Sequence, residues 1–261
     1  MAPLRKLTAA LSATAAVLLA ATPTASATTP TPHGTLVQEN FNRLPLGPVT
    51  AGQGWTTETS NGTLTVEPST TGHGRELHLR TEGNGRAFLV LPDLAPPGNS
   101  LWARLRLRVA AFPTAPDWAH WTIAEASGSD SPTLVRPLGG QYAPTDNGNF
   151  WGVGSDLGPT GDWTLWKTSA PAAASKWSCV EFHLDAKDNQ VTVYLDGVEQ
   201  PDLTVSTNHH GGTPDAFTFP TFDKLKLGWQ LYQADPTPSS YDVRLDDLAV
   251  STRRVGGCTG G

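Results

Sequence analysis

The stretch LWARLRLRV, Leu101 to Val109, alternates without a break. Leu101, Ala103, Leu105, Leu107 and Val109 stand at one parity, and Trp102, Arg104, Arg106 and Arg108 at the other. Successive side chains of a β-strand point to opposite faces, so this segment is a strand with one apolar and one cationic face. KLKLGWQLYQ repeats the pattern, with Leu225, Leu227, Trp229 and Leu231 opposite Lys224, Lys226, Gly228, Gln230 and Tyr232. No long segment carries the 3.6-residue period of a helix, and SAPAAASKW, with Pro171 and its Ser/Ala content, reads equally as a turn of helix or a loop. Half-apolar strands must bury their apolar faces against one another, which predicts an antiparallel sandwich. The 26 Gly and 22 Pro supply its turns.

Strands are expected at 36–41, 64–68, 76–80, 87–91, 101–110, 118–125, 133–138, 163–168, 176–184, 190–195, 224–232 and 241–251. VYLDGVEQ predicts a hairpin turning at Asp196-Gly197. No internal repeat or composition break marks a second domain.

Arg5 and Lys6, the apolar run Leu7–Ala21 and the small-residue pattern Ala25-Ser26-Ala27 form an export signal over residues 1–27. Residues 28–33 are a polar lead-in, and 34–261 the folded domain. Without Arg5 and Lys6, 18 basic residues become 16 against 24 acidic ones, a formal charge of −8. Nucleic acid and anionic membrane are therefore excluded as partners of the whole surface. No later run reaches the ~20 apolar residues of a membrane span. The expectation is a secreted, extracellular monomer. Its only cysteines, Cys179 and Cys258, then form one disulfide tying a central strand to the C-terminal tail.

The polar faces suggest a groove for an anionic chain. DWAHWTIAE sets His120 on one strand face with Trp118 and Thr122. Arg104, Arg106, Arg108, Lys226 and Gln230 are candidate substrate contacts, and Trp118, Trp151, Trp163 and Trp166 candidate stacking platforms. The bland alternatives are solvated strand faces for the cations and a hydrogen-bonded partner of a buried tryptophan for His120.

HWTIAEASGSDSPTLVRPLGGQ, KWSCVEFHLD, VTVYLDGVEQPDLTV, LKLGWQLYQ and VRLDDLAVSTRRVGGC occur in this order. In these motifs the chain resembles the fungal and actinobacterial cellulose-induced protein core domain family, which is related to glucuronan lyases. The similarity runs from about Leu36 to Cys258. It implies an all-β, concanavalin A-like jelly roll of two antiparallel sheets, with a polysaccharide groove on the concave face. It also implies a site made of His120, Gln141 and Tyr232, with Arg136 upstream of Gln141. Pro137 and Leu138 stand where the fungal pattern has one residue. A structural calcium is implied as well, with Asp246 as carboxylate ligand and Asn42 where the family has Glu. His183 matches the family too but alternates with Phe182 and Leu184, and is expected to be structural.

The chemistry such a set serves is β-elimination of a uronate. Gln141 and Arg136 would offset the substrate carboxylate, and His120 or Tyr232 would move the C5 proton and protonate the leaving oxygen. The rival reading is a non-catalytic carbohydrate-binding protein on the same fold. A glycoside hydrolase would need two carboxyl groups across the scissile bond, and no close acidic pair stands on the groove strands.

Overall fold

The fold turns on one long hairpin that belongs to both layers. In the computed structural model, residues 34–52, 54–114, 117–157, 161–164, 169–211, 218–232 and 237–258 are described. The export segment and lead-in (1–33) and Trp166 lie outside them. The chain order is β1 (Thr35–Glu39), β2 (Gly47–Pro48), β3 (Ala51–Gly52), β4 (Trp55–Pro68), β5 (Arg75–Leu91), β6 (Ser100–Val109), β7 (Ala119–Gly128) and β8 (Ser131–Ala143). Then follow β9 (Gly148–Asp156), β10 (Gly161–Asp162), β11 (Ser178–Asp185), β12 (Gln190–Leu195), β13 (Val198–Glu199), β14 (Val205–Ser206), β15 (Lys224–Tyr232) and β16 (Ser240–Ser251). The described helical turns are 3-10 turns, at Pro97–Asn99 and Pro201–Leu203.

All described pairings are antiparallel, in the path β10-β9-β8-β7-β15-β5-β16-β6-β11-β12-β13. Leu77–Glu82 of β5 pair with β16, whereas Arg86–Leu91 pair with β15. One strand edge thus feeds two diverging halves, and β4 accompanies β5 through the bend with a register shift between Ser60 and Gly62. Glycine is required there. A Cβ on Gly62 would lie 2.6 Å from Arg86 O, and one on Gly85 2.5 Å from Asn61 O. The result is an all-β jelly-roll sandwich.

The alternation foreseen in β6 and β15 is what fills its interior. Leu101, Ala103, Leu105, Leu107 and Val109 from one half share a core with Leu225, Leu227, Trp229 and Leu231 from the other. Trp121 stacks on Trp229 at 6.0 Å and meets Trp151 edge-on at 5.1 Å. Each such ring stabilises the fold by roughly 1.5–3 kcal/mol through burial alone. The outward faces of the two halves consequently point away from each other. The Asp196-Gly197 hairpin forms as expected, with both residues at positive φ. Cys179 and Cys258 are bonded.

Three expectations are corrected. The segment 148–156, for which no strand was foreseen, is β9. The strands foreseen at 76–80 and 87–91 are one strand, β5. Of the strand foreseen at 163–168, Trp163 and Thr164 are not strand, and 165–168 lie outside the described residues.

Candidate functional site

Tyr232 of β15 stands opposite His120 of β7, and His120 opposite Gln141 of β8. Strands run about 4.8 Å apart, so three residues distant in sequence form one row across the sheet. Their parity decides that they share a face: Leu231, Trp121 and Tyr142, one position away, point into the core. The His120 and Tyr232 rings stack with centroids 5.3 Å apart and planes 21° apart. Both are half-buried, while Gln141 is only 3% exposed. Gln141 Oε1 is buried with no hydrogen-bond partner among the described residues. An acceptor left so costs about 1–3 kcal/mol, which a ligand donor would recover.

The row extends to Phe150 of β9, opposite Gln141 and half-buried. The sequence reading missed Phe150 because β9 was not read as a strand. The available signal was the alternation of Phe150, Gly152 and Gly154 against Trp151 and Val153. The next row is small, with Gln230 facing Thr122, Thr122 facing Gly139 and Gly139 facing Gly152.

Arg136 lies across that small row. It faces Gly154, where a Cβ would come within 2.9 Å of Nη2, so glycine leaves room for the guanidinium. Nη1 donates to Tyr232 Oη at 2.5 Å, and Nε pairs with Asp156 Oδ2 at 3.2 Å. Arg136 is buried, and its guanidinium is 5.7 Å from the Tyr232 ring centre. It therefore grips Tyr232 and is charge-compensated by Asp156. The guanidinium foreseen to add positive charge for a substrate carboxylate is thus held by Tyr232 and Asp156.

Of the other candidates, Gln230 and Lys226 share this face, and Trp118, 37% exposed, precedes β7 beside it. Lys226 is not free: Glu125 Oε1 lies 2.9 Å and Glu58 Oε2 3.2 Å from its ammonium. Burial would lower its pKa, but these two carboxylates outweigh that and hold it above the usual lysine range.

Arg104, Arg106 and Arg108 are on β6, in the other half, and face outward there. Arg104 donates to Asp247 O and Gly257 O, Arg108 to Ser175 O, and Arg106 lies 5.1 Å from the Trp177 ring. These arginines hold the tail and loops, not the row. Trp151 and Trp163 are core residues, 5% and 0% exposed, and offer no platform. His183 projects from the outer face of that other half, opposite in parity to Phe182 and Leu184, stacked on Trp102 at 4.2 Å. Burial lowers its pKa, against the carboxylates of Asp185 and Glu181.

Asn42 Oδ1 accepts the Arg75 N–H at 2.6 Å, and Asp246 Oδ1 the Asp247 N–H at 2.8 Å. Burial raises the Asp246 pKa to about 6. Neighbouring Glu76 is already neutralised by Arg244 Nη1 at 2.5 Å. Among the described residues no group of three or more His, Cys, Asp or Glu is arranged to hold a metal. One carboxylate and one amide beside a guanidinium are a poor fit for calcium.

No family model matches the chain, and no curated protein matches it. Among solved structures it is similar to "Cellulose induced protein, Cip1", with a TM-score of 0.60 and 17% identity over 85% of this chain and 100% of that one. A "Sialidase" structure gives 0.48 and 13% identity over 84% of this chain and 18% of that one. A botulinum neurotoxin serotype C1 binding domain gives 0.47 and 10% identity, over 86% and 50%. The first of these likenesses is one of fold: the chain has a Cip1-like architecture.

Proposed function

We propose that the protein is an exported polysaccharide lyase that cleaves a uronic-acid-containing glycan by β-elimination. The observation that supports this is the row itself: a phenol, an imidazole and a carboxamide side by side on one outward face, with a guanidinium on the phenol oxygen. A donor on that oxygen favours its anionic form. Tyr232 Oη takes the C5 proton of the sugar, the C5 electrons form the C4=C5 double bond, and the C4–O bond breaks. The same Tyr232 then returns that proton to the departing oxygen, which requires both groups on one face of the ring. Gln141 and His120 hold the substrate carboxylate, whose charge would otherwise oppose loss of the C5 proton.

A second reading, glycan binding without turnover, is favoured by one observation. Arg136 is compensated by Asp156, so its charge is already engaged and is not offered to a substrate carboxylate. The test is incubation with glucuronan, alginate and a neutral glucan, following ultraviolet absorbance of the unsaturated product. Product on a polyuronate that vanishes in Tyr232→Phe and His120→Ala is the expected result. Binding without product, by the intact protein, would overturn the lyase.

A further inference from the structure

Beside the row, the same face carries a second cluster. β5 turns Ala87, Leu89 and Leu91 to the core, so Arg86 and Phe88 point outward, with Glu58 of β4 opposite Phe88. On β15 Gly228 stands opposite Phe88, and Lys226 opposite Glu125 of β7. Gly228 lies four residues from Tyr232, about 13 Å along the strand. Glu58 Oε1 lies 2.9 Å from Arg86 Nε, and Glu58 Oε2 and Glu125 Oε1 share the Lys226 ammonium. These groups cover Phe88, which is fully buried although it points away from the core, and the ammonium lies 5.9 Å from its ring. The cluster is thus partly desolvated and holds two cations and two carboxylates. Arg136 and Asp156 add one of each.

This balance bears on the substrate. A polymer charged at every sugar would meet no uncompensated cation in the cluster, and Glu58 and Glu125 would repel it. Uncharged sugars suit it better, because hydroxyls donate to carboxylate oxygens and accept from ammonium and guanidinium groups already held in place. We infer that this cluster forms subsites for neutral sugars, so that the substrate is a mostly neutral glycan with 4-linked uronate residues scattered along its main chain. The inference rests on the lyase reading only for placing the uronate at the Tyr232–His120–Gln141 row. Lys224, exposed at the far end of β15, lies beyond the cluster.

The experiment compares glucuronan, a gellan-type glycan whose main chain carries one 4-linked glucuronate among several neutral sugars, and the carboxyl-reduced, uncharged form of that glycan, with product followed by absorbance and binding by affinity electrophoresis. The expected result is a kcat/KM at least about tenfold higher on the sparsely charged glycan than on glucuronan, little changed by salt. Glu58→Lys, at a partly exposed position, should shift preference toward glucuronan. Faster cleavage of glucuronan by the intact protein, falling as salt rises, would overturn the inference and leave the lyase standing. Tighter binding of the sparsely charged glycan with no product on any polymer would overturn the lyase and leave the inference standing. Equal binding of all three polymers would overturn the inference.

Discussion

Replacing Arg136 by methionine separates the role the sequence suggested from the one the geometry gives. The change removes the donor to Tyr232 Oη and the partner of Asp156 while keeping most of the buried stem. Removing one member of a fully buried pair costs roughly 3–5 kcal/mol, because the other charge is left without water. Here the Asp156 side chain is 38% exposed and can rehydrate. The loss is then nearer that of one charged hydrogen bond, about 2 kcal/mol. For a domain of this size that lowers Tm by roughly 4–8 °C. On activity the effect is larger. On the lyase reading, losing a positive donor on the oxygen that takes the C5 proton should cut kcat about 10²–10³-fold. KM should hardly change, since the guanidinium touches Tyr232 and not the sugar. Arg136→Lys keeps the charge but not the planar fork, and should restore only part. Because both groups act as one unit, Arg136→Met added to Tyr232→Phe should lower kcat little further. A raised KM with kcat intact, or losses that multiply in the double variant, would refute the reasoning and return Arg136 to the substrate carboxylate.

Two further outcomes follow from groups outside the row. Burial raises the Tyr241 pKa to about 12, and its hydroxyl is buried without a partner. The unfolded chain loses this proton near pH 10 and the folded one near 12, so stability falls as pH rises between them, by roughly 3 kcal/mol. Tyr241→Phe should flatten that alkaline loss in denaturant titrations, and an unchanged slope would contradict it. At Asp246 and Asn42 the poor donor set means that EGTA should leave Tm unchanged; a fall reversed by added calcium would show a bound ion.

The fold was legible wherever burial imposed a strict period of two. β6 and β15 announce themselves because every second residue must be apolar to reach the common core. β9 escaped for the opposite reason. Two of its outward positions, Gly152 and Gly154, are glycines, and the one at Gly154 is required by the Arg136 guanidinium on another strand, so its alternation with Trp151 and Val153 is weak in the local sequence. The bend at Gly62 and Gly85 escaped likewise, so β5 was read as two strands. In the site, the resemblance placed His120, Gln141 and Tyr232, and register brings them together. Alternation in β6 identified an outward cationic face correctly. It could not say which half of the sandwich bears it, because that depends on strand order.

Strand order also explains why charge at this site could not be summed from the sequence. Glu58, Glu125 and Asp156 lie on three strands, and each reads locally as a solvated carboxylate. Folding sets them against Arg86, Lys226 and Arg136. Of the cations that had suggested an anionic chain, Lys226 is thereby paired, and Arg104, Arg106 and Arg108 face out from the other half. What the row itself adds to the face is a buried amide oxygen, that of Gln141, with Gln230 and the His120 ring on the same face. A face of that kind selects ligands by directed hydrogen bonds and stacking, which survive high salt, and not by long-range attraction, which does not. The overall charge of the chain points the same way, since a net negative protein gains nothing from a densely anionic partner unless a groove concentrates cations. Here the cations are concentrated but already spoken for.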